Sequence, residues 1–182
     1  MLKGILPSHD RILIALIVSL ASMYEEHKER LVSYYGQIIG NMFEGFVNAL
    51  IALDGFNLWL DLRTIREGKT EEERKLIKKY GVLEIDVYGY RTSDNTLIVG
   101  ECKFRKRKAT RKDLEEFLEK SVPFIERVTF GRRKDIKVKR IYISIYGFTK
   151  DCNKIKNVEL IDKEKLNKWA KKHGFKRILI PE

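Results

Sequence analysis

The sequence predicts an α/β protein, a mixed β-sheet core flanked by helices with an N-terminal helical extension. Apolar residues recur at helical spacing over 36–53 and 111–127. β-Prone runs bounded by turn residues fall at 82–90, 96–104 and 136–146. Helical and extended segments interleave along the chain, the pattern of a sheet packed between helices. The expected organisation is an extension over 1–35, used for packing or dimerisation. It leads to a main domain over 36–182 that carries a charged insertion near 64–81.

The first helix is expected over Ser8–Tyr35, capped by Ser8 or Asp10. Its apolar residues from Ile12 to Leu20 fill almost every face, so it is a buried helix, on its own domain or against a second copy. A second helix, Gly36–Leu53, stops at Asp54-Gly55. Its apolar stripe is Ile39, Met42, Phe43, Phe46, Val47, Leu50 and Leu53, and Gln37, Asn41, Glu44 and Asn48 share another face. Phe56–Arg63 alternates as a strand, and the charged stretch Glu67–Tyr80 forms a surface helix. Val82–Tyr90 and Thr96–Phe104 form a hairpin about the turn Arg91–Asn95. Thr110 and Asp113 are placed as a capping box for a helix over Arg111–Arg127. A strand over Ile136–Tyr146, a short helix over Thr149–Lys156, a short strand over Val158–Ile161 and a last helix over Asp162–His173 complete the order.

Charge narrows the function. The 182 residues include 37 Lys and Arg against 26 Asp and Glu, a net charge of +11. Such a balance favours a polyanionic partner, nucleic acid ahead of an acidic membrane surface. The two cysteines, Cys102 and Cys152, build neither a disulfide framework nor a four-ligand zinc site, and a cytoplasmic protein with reduced thiols is expected. The apolar run Ile12–Met23 is too short for a membrane span. No Gly-rich phosphate loop is present, and His9, His27 and His173 are scattered.

The hairpin carries the chemistry. If it turns symmetrically about Ser93–Asp94, residues whose numbers sum to 187 face each other. Asp86 then lies opposite Glu101, Glu84 opposite Lys103 and Ile85 opposite Cys102. Leu83, Ile85, Val87, Ile98, Gly100 and Cys102 would share an apolar face, and Glu84, Asp86, Glu101 and Lys103 the other. Two carboxylates facing each other across a sheet repel, and a divalent cation turns that repulsion into attraction. Mg²⁺ takes its ligands from carboxylates, carbonyls and water, a set that Asp86, Glu101 and the backbone carbonyl of Cys102 would supply. Lys103 would orient an attacking water or stabilise charge growing on a phosphate. The alternative is a Glu84–Lys103 cross-strand salt bridge with Asp86 and Glu101 solvated.

Seven of the ten residues from Lys103 to Lys112 are basic. Arg105, Lys106, Arg107, Lys108, Arg111 and Lys112 therefore follow the carboxylates directly and are candidates to hold a nucleic-acid backbone; the alternative is a solvated face. A second cluster is Arg132-Arg133-Lys134 with Lys137, Lys139 and Arg140. Tyr88, Tyr90 and Phe104 either stack on bases or, the favoured reading, pack against helices.

Glu84-Ile-Asp86 followed by Leu97-Ile-Val-Gly-Glu101-Cys-Lys103, with fourteen residues between Asp86 and Glu101, resembles the core motif of the PD-(D/E)xK nuclease superfamily. Ile85 stands where that motif has a leading Pro. Gly40-Asn-Met-Phe-Glu44-Gly-Phe resembles the family's first core helix, and Ile141–Phe148, Thr149-Lys-Asp and Val158–Asp162 resemble the later strand–helix–strand of its Mrr-like and archaeal branches. The resemblance implies a restriction-endonuclease-like fold and a metal-dependent DNA endonuclease, RNA remaining open as substrate. Asp86 and Glu101 would bind Mg²⁺ or Mn²⁺, Lys103 would activate water, and Glu44 would act as a further site residue, approaching the metal through water or binding a second one. A homodimer would set one site to each strand, and an ATPase or restriction protein is a possible partner. The competing expectation is a non-catalytic nucleic-acid-binding or interaction module of the same fold.

Overall fold

A computed structural model describes residues 28–129 and 135–175. The helix expected over Ser8–Tyr35 and the cluster Arg132-Arg133-Lys134 lie outside the described residues, apart from helical backbone over 28–35. The chain divides into two units, Met1–Asn41 and Met42–Glu182. In the first unit the described residues are helical.

Helix α1, Lys28–Leu53, is continuous through Gly36, where the sequence suggested two helices. Gly36 is exposed and in helical conformation, so it costs helix propensity without breaking the helix. The chain turns at Gly55, whose φ of 87° favours glycine. The single strand expected over Phe56–Arg63 is three pieces: β1 (Asn57–Leu58), a 3₁₀ turn (Leu60–Leu62) and β2 (Thr64–Ile65). The interruption falls at Trp59, whose ring packs edge-on against Tyr88 and stacks on Tyr90, holding the chain to a turn where alternation implied extension.

The insertion helix α2 (Glu71–Tyr80) opens on a Thr70–Glu73 capping box. Glu73 is buried and pairs with Arg127 at 2.7 Å, which ties the insertion to the later helix α3 (Arg111–Thr129). Strands β3 (Leu83–Glu84), β4 (Val87–Arg91), β5 (Thr96–Lys103), β6 (Lys137–Ser144) and β7 (Glu159–Ile161) follow, with a 3₁₀ turn Lys150–Lys154 before β7 and helix α4 (Lys163–Lys172) after it.

The main sheet runs β1-β4-β5-β6-β7; β2 and β3 form a separate two-stranded sheet. β1–β4 and β4–β5 are antiparallel, and β5–β6 and β6–β7 are parallel. The mixed sheet flanked by helices is the predicted fold class. Both faces are covered. On one, Phe43, Val47, Leu50 and Ile51 of α1 pack with Val87, Ile98, Cys102, Ile141 and Ile143. On the other, Leu114, Phe117 and Phe124 of α3 pack with Tyr88, Leu97, Val99 and Tyr142. No helix among the described residues is long and apolar enough to cross a membrane.

Candidate active site

β5 brings the two faces of the site together. Alternation puts Ile98, Gly100 and Cys102 toward α1, and Leu97, Val99, Glu101 and Lys103 toward α3. Gly100 is a packing requirement. A Cβ there would lie 2.5 Å from Ile141 Cγ1 and 3.1 Å from Val87 Cβ.

The β4–β5 register is the predicted one, from Arg91↔Thr96 to Val87↔Gly100. The ladder then ends, because the Asp86 N–H donates to the Gly100 carbonyl and the Ile85 N–H turns away to the Arg63 carbonyl. Glu84 pairs instead with Thr64 across β2–β3. The expectation that Asp86, Ile85 and Glu84 continue opposite Glu101, Cys102 and Lys103 is therefore corrected. So is the shared face, since Leu83 and Ile85 pack with Leu97 and Val99, on the side away from Val87 and Cys102. Glu84 is exposed and makes no salt bridge with Lys103.

The break aims Asp86. Its side chain is buried, and Oδ2 accepts the Cys102 N–H at 2.6 Å. In an extended strand the N–H and C=O of one residue point to the same edge, so the Cys102 carbonyl faces this edge too. The Asp86 carbonyl accepts from Arg63 Nη1 at 2.6 Å and from Asn48 Nδ2 at 3.2 Å. Lys103 pairs directly with Glu101, and its Nζ lies 3.9 Å from Asp86 Oδ2. Glu44 Oε2, one helical turn before Asn48, lies 3.9 Å from Arg63 Nη1. Glu44, Asp86, Glu101 and Lys103 are thus brought into one electrostatic group.

That group is short of positive charge. Burial, then the neighbouring Asp86 carboxylate, pushes Glu44 and Glu101 each up to about 7. Burial also raises Asp86, against the opposing pull of Lys103 and the Cys102 N–H. Burial disfavours the charge on Lys103, but Glu101 and Asp86 outweigh it and raise its pKa. No three Asp, Glu, His or Cys side chains among the described residues form a ready-made ligand cluster. What exists is a set of hard oxygen donors with one ammonium and one guanidinium between them.

Sequence reasoning missed Arg63, which reaches Asp86 from a segment 23 residues away. It noticed Asn48 only as a polar position on a helix face. Cys102 faces the α1 side, and burial pushes its thiol well up; Cys152 is buried, donating toward the Ala109 carbonyl. His173 lies at the end of α4 against Asp54, and His9 and His27 lie outside the described residues. The aromatics pack as favoured: Tyr88 donates to the Phe124 carbonyl, Tyr90 bonds Asn95, and Phe104 tilts against Phe43.

The basic run separates into two groups. Arg105 and Arg107 converge on Asp113 at 2.8–3.0 Å, and Arg111 pairs with Glu115 at 2.7 Å. Lys106, Lys108 and Lys112 are exposed and make no ion pair with described residues. In the later cluster Lys139 pairs with Glu159 at 3.0 Å.

No family model and no curated protein matches the sequence. Among solved structures, the chain is similar to part of a repair endonuclease from Pyrococcus abyssi, with 20% identity and a TM-score of 0.38 over 64% of this chain and 42% of that one. The candidate function therefore rests on the residues described above.

Proposed function

We propose that the chain is a metal-dependent DNA endonuclease of the PD-(D/E)xK kind, with Asp86, Glu101, Lys103 and Glu44 as its active site. The observation that carries this reading is a pair of carboxylates, buried Asp86 and largely buried Glu101, joined by one lysine and raised in pKa by burial, with the neighbouring Asp86 charge adding to the rise at Glu101. The donor set fits Mg²⁺ or Mn²⁺: carboxylate oxygens from Asp86 and Glu101, the Cys102 carbonyl on the same edge, and Glu44 through water. A divalent ion there would neutralise phosphate charge and make water a better nucleophile. Asp86 is fixed for its part by the Cys102 N–H, and Arg63 and Asn48 hold its backbone. Lys103 would donate to the attacking water or a phosphate oxygen, and the carboxylates beside it keep it protonated to do so. Lys106, Lys108 and Lys112 would hold the nucleic-acid backbone without reading sequence. Pairing of two copies, one site to each strand, belongs to the same proposal.

Plasmid and branched DNA incubated with the protein in Mg²⁺ or Mn²⁺ test this reading. Glu101→Ala and Lys103→Ala are each expected to lower the cleavage rate by on the order of 10²–10³-fold. Cleavage that survives both substitutions removes the active site from this position. The direct Lys103–Glu101 pair favours a second reading, a non-catalytic nucleic-acid-binding module in which the lysine itself neutralises the acid. DNA binding with no Mn²⁺-dependent rise in Tm would decide for the second.

A further inference from the structure

Four buried side-chain polar atoms lack a hydrogen-bond partner among the described residues: Asn48 Oδ1, Arg105 Nε, Arg140 Nε and Ser144 Oγ. Ser144 pairs with Lys103 across β5–β6, and Arg105 lies two residues beyond Lys103. Asn48 is the one of the four whose side chain is hydrogen-bonded to a residue of the carboxylate site. Buried polar atoms are nearly always satisfied, so an unsatisfied acceptor at this site marks a place for a group the chain itself does not provide.

Asn48 is the most informative of them. It is 7% exposed, and its Nδ2 donates to the Asp86 carbonyl at 3.2 Å. That bond sets the amide's orientation, because a carbonyl accepts from the nitrogen and not from the oxygen. Oδ1 is then an acceptor left over beside Asp86. Glu44 lies four residues earlier on the same face of α1. Leaving such an acceptor buried and unpaired is unfavourable, and a bound cation or its water would satisfy it.

Resting on the metal-site reading above, we infer that the side-chain carbonyl of Asn48 is a further oxygen donor to the divalent-cation site, acting on the ion directly or through one water. Asn48 then does two jobs: its nitrogen positions Asp86 and its oxygen faces the ligand.

The two jobs separate in substitutions followed by Mn²⁺ titration of the full chain, read as the shift in Tm and by Mn²⁺ electron paramagnetic resonance. Asn48→Asp keeps an oxygen, adds charge and loses the donor, whereas Asn48→Ala loses both. Both variants are expected to lower the metal-free Tm. Asn48→Asp should bind Mn²⁺ as tightly as wild type or several-fold tighter, and Asn48→Ala several-fold weaker. If Asn48→Ala does not fold, Asn48→Ser takes its place with the same expectation. Mn²⁺ affinity equal to wild type in the Asn48→Ala or Asn48→Ser variant would reduce Asn48 to its bond with Asp86 and overturn the inference alone. Failure of the wild-type chain to bind Mn²⁺ would overturn both the inference and the metal-site reading.

Discussion

Asp113 and Glu101 are carboxylates of nearly equal burial, their side chains 15% and 13% exposed, at opposite ends of one basic run. Asp113 accepts from the Thr110 N–H and hydroxyl, from both terminal nitrogens of Arg107 and from Arg105. Burial alone would raise its pKa, but these donors hold it well below the usual carboxylate range. Glu101 has Lys103 for a partner and Asp86 for a neighbour, and is pushed up to about 7. Side-chain exposure is alike, but Glu101 sits deeper among protein atoms: burial first and the Asp86 charge second raise it, whereas at Asp113 the hydrogen bonds and the arginines outweigh burial. Asp113 is a completed structural knot, and Glu101 is an acid still short of positive charge.

The largest effect that sharpens this contrast is on stability. Asp113→Ala strands two guanidinium groups and removes a helix cap, and should cost about 2–4 kcal/mol in urea unfolding. Glu101→Gln in the metal-free protein should cost less than about 1 kcal/mol, since it relieves the repulsion with Asp86. Equal losses in the two variants would break the comparison.

Next in size is the response to pH. The folded pKa of Glu44 and Glu101 lies above the unfolded value of 4.5, so between pH 4.5 and about 7 the folded chain binds more protons than the unfolded one. The stability these groups contribute therefore falls as pH rises across that window. Metal-free protein should be about 1–3 kcal/mol more stable at pH 5 than at pH 8, and Glu101→Gln should remove about half of that difference. Asp113 has the opposite sign: its contribution is complete above 3.8 and is lost only as pH falls through its lowered folded value. Thermal melts at several pH values without metal check both slopes.

The smallest effect concerns the run between the two acids. Lys106→Ala, Lys108→Ala and Lys112→Ala should each lower the salt dependence of DNA binding by about one unit of slope. Arg107, committed to Asp113, should contribute less. Fluorescence-anisotropy titrations at several salt concentrations measure this.

These regions differ also in how far they could be read from sequence. The Asp113 knot lies within a few residues of chain, so Thr110 and Asp113 announced the helix cap at their spacing, though not the two arginines drawn to it. The β4–β5 register was legible because a hairpin about Ser93–Asp94 leaves few alternatives. The closeness of Glu101, Lys103 and Asp86 was legible from that hairpin, although Asp86 lies one residue beyond the paired ladder. The stop of the ladder at Val87 was not, since it depends on Ile85 and Glu84 being captured by Arg63 and Thr64 through a second small sheet. Arg63 had no local signal at all. Trp59 broke a strand whose alternation looked regular, because its ring found Tyr88 and Tyr90.

One oxygen carries a consequence for the whole molecule. The Asp86 carbonyl is gripped by Asn48, 38 residues upstream on α1, and by Arg63, 23 residues upstream at the edge of the insertion. Both grips depend on elements outside the parallel strands that make the centre of the sheet. Loosening the segment around Arg63 would leave that centre standing while releasing one grip on Asp86. The proposed activity should therefore fade under mild denaturation before the protein's spectroscopic signature of sheet does.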